Sequence, residues 1–136
     1  MGKKLEGFGG WLLFYVIVLI LNIFFLISEL SPSWNIQSPQ FYDFMIISID
    51  GIMLIFSVDV LWVTLKKRKE AIHLNKLLLW LRFCIPLIFI IYFRHVGINE
   101  DKMNDLIGQA FAMFLGASIW SSYWDKSVRV KNTFRH

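Results

Sequence analysis

Of 136 residues, 57% are apolar, 17% aromatic and only 18% charged, whereas soluble domains carry roughly a quarter charged residues, and the length allows one domain. The formal net charge of +4 does not point to nucleic acid, because the basic residues stand beside long oily runs, where anionic lipid headgroups are the natural counter-charge. The single cysteine, Cys84, excludes an intrachain disulfide and a multi-cysteine metal centre, and reads as small apolar filler.

The first element lies in "GFGGWLLFYVIVLILNIFFLI". The 22 residues between Glu6 and Glu29 carry no charge, and a helix needs about 20 apolar residues to cross a bilayer core. The run is too long for a signal peptide and no A-x-A site follows, so residues 11–30 read as a retained span. Glu6 stands where a myristoylation signal at Gly2 requires Ser or Thr. Gly9 and Gly10 permit a tight turn before Trp11. "SPSWNIQSPQ" is a loop by its prolines and serines. A second span covers 44–65 and ends on the basic turn "KKRKE"; a third covers 74–93. After "RHVGINEDKMN", 19 uncharged residues separate Asp105 from Asp125 and predict a fourth span at 105–124, followed by a basic tail at 125–136. Strands are excluded, since an isolated strand leaves backbone groups unpaired in lipid and no period-two alternation suggests a barrel. The predicted fold is all-α: a single polytopic domain over 1–136, built as a four-helix transmembrane bundle.

Charge sets the expected orientation. The N-terminus, the second loop, Lys76 and the tail hold 11 of the 14 Lys and Arg residues; Arg94 and Lys102 fall on the other side and Arg82 within the third span. The positive-inside rule then places both termini in the cytoplasm. The acidic Glu29, Asp43, Glu100, Asp101 and Asp105 gather on the opposite side. Trp11, Trp62, Trp120, Tyr123 and Trp124 near the cytoplasmic ends, and Trp34 near the outer surface, are expected interfacial anchors.

Four residues inside the oil are the candidate functional ones: Asn22, Asp50, Asp59 and Arg82. Asp43, Asp50, Ser57 and Thr64 form one stripe at spacing seven, and Asp59 faces away from it. Tyr15, Asn22 and Glu29 form a second stripe. Asp59 and Arg82 lie about 10 and 12 Å inside the inner edge at 1.5 Å per residue, so they are expected to pair. A registry role and a substrate role are both open for that pair. Asp50 is expected near Asn22, as a hydrogen-bonding group or as a proton-carrying carboxylate. Pro86 follows Arg82 by four residues and removes the N–H that would bond its carbonyl; Asn75 precedes it by seven on a similar face. Gly108, Ala112 and Gly116, four apart, predict close helix contact inside the bundle, with a dimer face as the other option. His73, His95 and His136 are scattered, and His95 with Glu100 and Asp101 reads as a solvated loop. With no catalytic, cofactor or metal motif, the chain is expected to be no enzyme and to carry no cofactor.

The ends carry more specific information. "GFGGWL" at Gly7–Leu12 and "SIWSSYWDKSVRVKNTF" at Ser118–Phe134, around four spans, resemble the bacterial DUF2569 family of small inner-membrane proteins. The resemblance rests on Gly7, Gly9, Gly10, Trp11 and Leu12, and on Tyr123, Ser127, Arg129, Val130, Thr133 and Phe134; the middle matches in hydropathy. It implies architecture and localisation, with no activity attached. The tail is expected to dock through Val128, Val130 and Phe134, with Arg129 and Lys131 at headgroups or at the end of the bundle. The expected function is a structural, accessory or modulating part of an envelope assembly, in contact with the phospholipid bilayer and with a second copy or another membrane protein. The alternative is a small oligomeric proton-coupled transporter. Small multidrug exporters have a similar size but place a glutamate in span one, where this chain has Asn22 and the terminal Glu29. A lipid-modifying enzyme lacks a catalytic cluster.

Overall fold

Among the described residues of the computed structural model, five helices follow one another: α1 (Trp11–Ser33), α2 (Phe41–Leu65), α3 (Ala71–Val96), α4 (Glu100–Lys126) and the short α5 (Val128–Thr133). The structure describes residues 7–33, 41–97 and 100–134, without the side chains of 31–33, 41–43 and 102. The sequence assignments made for Gly2, Lys3, Lys4, Glu6, Trp34, Arg135 and His136, and for the side chains of Asp43 and Lys102, lie outside the described residues.

Helices α1, α2 and α3 contain segments long and apolar enough to cross a membrane: Trp11–Leu30, Phe44–Leu65 and Ala71–Val96. The expected fourth span forms a helix of 27 residues, yet it is not among the three. Gln109 and the serines at 118, 121 and 122 dilute its apolar content. Its outward face is oily all the same, with Ile107, Phe111, Phe114, Leu115 and Ile119 exposed, as are Phe24 on α1, Ile55 on α2 and Ile91 on α3. Exposed apolar surface on this scale on every long helix is what a lipid solvent requires and an aqueous one penalises.

The backbone close approaches are α3 to α4, α1 to α2 and α2 to α3. α1 meets α4 through rings: Trp120 packs on Tyr15 at 4.8 Å and on Trp11 at 6.4 Å, and Trp124 packs on Tyr15 at 5.2 Å. The core gathers at the end of the bundle where the chain starts, where α2 turns into α3 and where α5 sits, around Leu12, Val60, Ala71, Leu78, Trp124 and Val130. The basic turn between α2 and α3 closes with Lys67 in the left-handed region (φ 54°). Its N–H donates to the Thr64 carbonyl (2.9 Å) and that of Arg68 to the Val63 carbonyl (3.2 Å), which terminates α2 by satisfying its last carbonyls.

The two end motifs fold onto each other. Gly7 and Gly10 have φ of 79° and 54°, a region glycine enters without a Cβ penalty. The Gly7 N–H donates to Thr133 Oγ1 at 2.9 Å. Ser127 caps α5 by accepting from the Val130 N–H, the usual role of an N-terminal serine. Val130 is fully buried, and Phe134, 2% exposed, lies against Trp124 at 5.4 Å and Phe8 at 6.4 Å. The Arg129 guanidinium lies over Gly9, where a Cβ would collide with it. The expected docking of the tail is therefore present, with Phe134 and Val130 as its apolar contacts, whereas Val128 is exposed. Both described ends of the chain lie at one end of the bundle. Lys76 of α3 pairs there with Asp125 of α4 at 2.7 Å. Trp11 and Trp62 are exposed rings, but Trp124 is 1% exposed. Trp124 is a core residue rather than an interfacial anchor, because α5 folds back over it.

Candidate intramembrane polar site

Ser57 and Thr64 of the spacing-seven stripe of α2 face inward. Both are fully buried, and each donates to the carbonyl four residues back, Met53 and Val60, at 2.7 Å. Across the bundle, Asn75 of α3 donates from Nδ2 to Thr64 Oγ1 at 2.8 Å, and Arg82 donates from Nη2 to Ser57 Oγ at 3.1 Å. Moving seven residues from Thr64 to Ser57 matches moving seven from Asn75 to Arg82. The two hydrogen bonds thus fix a single antiparallel register.

That register corrects one expectation. Arg82 pairs with Ser57, and Asp59 is exposed. An ion pair does form between Lys76 and Asp125. Two residues along a helix are about 200° apart, so once Ser57 faces Arg82, Asp59 faces outward. It stands among exposed Ile52, Ile55, Val58 and Trp62, with no partner among the described residues.

Asn22, Glu29, Asp50, Arg82 and Gln109 line one cavity of ≈190 Å³, with Phe25, Leu26, Met53, Ile85, Pro86 and Met113 as its apolar wall. A second lobe of ≈170 Å³ shares Asn22, Arg82 and Met113 and runs on to Tyr15, Leu78, Gly116 and Trp120. Asn22 and Asp50 line the same cavity without a direct hydrogen bond between them. Pro86 sits inside α3, and its missing N–H leaves the Arg82 carbonyl without its helical donor. The site is thus built from polar positions on all four long helices. Gln109 and Met113 were not singled out in the sequence; the only signal was an amide within an otherwise apolar run.

The small-residue stripe does not pack inside the bundle. Gly108 and Ala112 are exposed, and a Cβ on Gly108 or Gly116 would meet nothing within 4 Å. The buried small residues of α4 are Ala110 and Ala117. Seven apart, they hold one face toward the core, whereas a spacing of four drifts around the helix. Ala112 and Gly116 border the second lobe instead. The Nδ1 atom of exposed His95 lies 2.9 Å from the carbonyl of Ile91 on its own helix, and among the described residues no three His, Cys, Asp or Glu side chains gather into a metal-binding group.

Long apolar helices, three of them able to cross a membrane, define a small, all-α, multi-pass membrane protein. The chain matches the model of a family described as a protein of unknown function, DUF2569, over residues 5–135, and it belongs to that family. No curated protein and no solved structure matches it.

Proposed function

We propose that this is an accessory protein of the bacterial inner membrane that acts by binding rather than catalysis, and that it docks on another membrane protein through the exposed face of α2. The observation that carries this reading is Asp59. It lies about 9 Å inside the end of α2 at 1.5 Å per residue, on a face of Ile52, Ile55, Val58 and Trp62. A carboxylate facing lipid is costly and normally finds protein or water. The partner fitted to it is a transmembrane helix carrying Lys, Arg or a hydroxyl donor at matching depth. A second copy fits less well, because a two-fold contact over this face sets Asp59 against its own copy. The bundle makes four crossings in this reading, with both termini cytoplasmic. Support comes from the oily outer face of α4 and from the meeting of Gly7 with Thr133.

Photo-crosslinkers placed at Ile52, Ile55 and, as a control, Ile91 test the docking face in intact membranes. Adducts of one defined mass at the two α2 positions, lost in Asp59→Leu and absent at Ile91, support it. An adduct of twice the chain mass, or adducts indifferent to Asp59, overturns it. The transporter reading is favoured by a separate observation, the charged cavity between the helices; proton-linked flux in vesicles reconstituted with the purified chain distinguishes the two.

A further inference from the structure

Basic and acidic side chains line the cavity together, and a purely docking protein has no use for them there. Arg82 offers five N–H donors, and among the described residues its side chain has one hydrogen-bond partner, Ser57 Oγ. Asp50 and Glu29 line the same cavity. Ser57, level with Arg82, is seven residues from Asp50, which puts Asp50 about 10 Å further along the bundle, toward the end where Glu29 sits. The cavity therefore has a positive pole near mid-depth and a negative pole toward one end. The amides of Asn22 and Gln109 lie on its walls.

We propose that this cavity binds a zwitterionic group, with an anionic phosphate or carboxylate on Arg82 and an ammonium between Asp50 and Glu29. A simple anion satisfies Arg82 but is repelled by two carboxylates, and a simple cation has the reverse difficulty. Only a dipolar ligand relieves both poles in a low-dielectric setting, where an unpaired charge is expensive. The volume of ≈190 Å³, extended by the adjoining lobe of ≈170 Å³, is small for a drug-sized molecule and suits a headgroup or a small amine-bearing acid. Access is from the side. The backbones of α1 and α4 are not among the closely packed pairs, and Trp120 props them apart at one end. Beside this seam Phe25, which also lines the cavity, is exposed, an apolar surface on which an acyl chain lies while a headgroup enters. A soluble zwitterion reaches the same site from the end near Glu29.

Native mass spectrometry of the full chain in neutral detergent tests the site, with short-chain phosphatidylethanolamine, short-chain phosphatidylglycerol and free phosphoethanolamine as probes. The ethanolamine lipid is expected to be retained about tenfold better than the glycerol lipid, the ratio that one charge-assisted contact supplies. Asp50→Asn removes that preference. Met113→Trp fills both lobes from a partly exposed position and removes retention of either lipid while the thermal melt stays as in the unaltered chain. These two variants avoid Arg82, whose loss also breaks the contact to Ser57. Competition by free phosphoethanolamine supports the site with a soluble ligand, and retention of the lipid without such competition supports it with a lipid ligand. Equal retention of the two lipids, or ethanolamine-lipid binding undiminished in a folded Met113→Trp chain, overturns the proposal.

Discussion

Arg82 had two acceptors within reach on α2 by depth alone, Ser57 and Asp59, and it takes the neutral one. The choice follows from the helix face: Ser57 shares the inward stripe with Thr64, and Thr64 is already held by Asn75. The consequence is measurable. In a double-mutant cycle read by thermal melt in detergent, Ser57→Ala and Arg82→Gln should be coupled by about 1 kcal/mol, the scale of interhelical polar contacts in membranes. Asp59→Asn and Arg82→Gln should be additive to within about 0.5 kcal/mol, as for residues with no shared partner. A coupling of Arg82 to Asp59 larger than its coupling to Ser57 would reject the register.

Among elements, α5 is six residues long and has little helical stability of its own, since short helices depend on packing. What holds it is Phe134 against Trp124 and Phe8, Val130 in the core, and the Gly7–Thr133 hydrogen bond. Phe134→Ala should cost about 3 kcal/mol, as for a fully buried ring. Thr133→Val should cost about 1 kcal/mol for the lost acceptor. Comparable effects of the two on the melt would argue against a packed tail. On α4, the two faces should separate cleanly. Gly108→Ala, in open space, should leave the melt unchanged or raise it by up to about 1 kcal/mol through helix propensity. Ala117→Leu, 1% exposed, should lower it by about 1–3 kcal/mol through overpacking. The opposite order would restore the small-residue stripe as the packing face.

For the whole molecule, the meeting of Gly7 with Thr133 requires the long helices to return the chain to the end where it began. The α2–α3 turn and the Lys76–Asp125 pair lie at that same end, so the described basic residues of the turn, of α3 at Lys76 and of the tail gather at one end of the bundle. Such a gathering favours the cytoplasmic leaflet. Reporter fusions at residue 136 and within 34–40 should therefore report opposite sides of the membrane, with residue 136 cytoplasmic. The same side for both would leave α4 lying along the surface and end the four-crossing reading.

The sequence by itself determined the class. Apolar runs of membrane length leave helix as the only way to satisfy the backbone, and the segments 11–30 and 44–65 could be read directly because a span is a local property of composition. The spacing of seven also marked the inward face of α2 at Ser57 and Thr64, since rotation along a helix is fixed. The tertiary structure decided which side chains meet. Helix rotation says that Ser57 and Asp59 face apart, but not which of them faces α3; that depends on packing at Asn75 and Thr64. It also decided the fate of α4, where Ala110 and Ala117 rather than the glycines turn to the core, and brought Gln109 beside Asp50 and Arg82. Those pairings join residues far apart in the chain, and the contacts that select them exist only when all four long helices have packed.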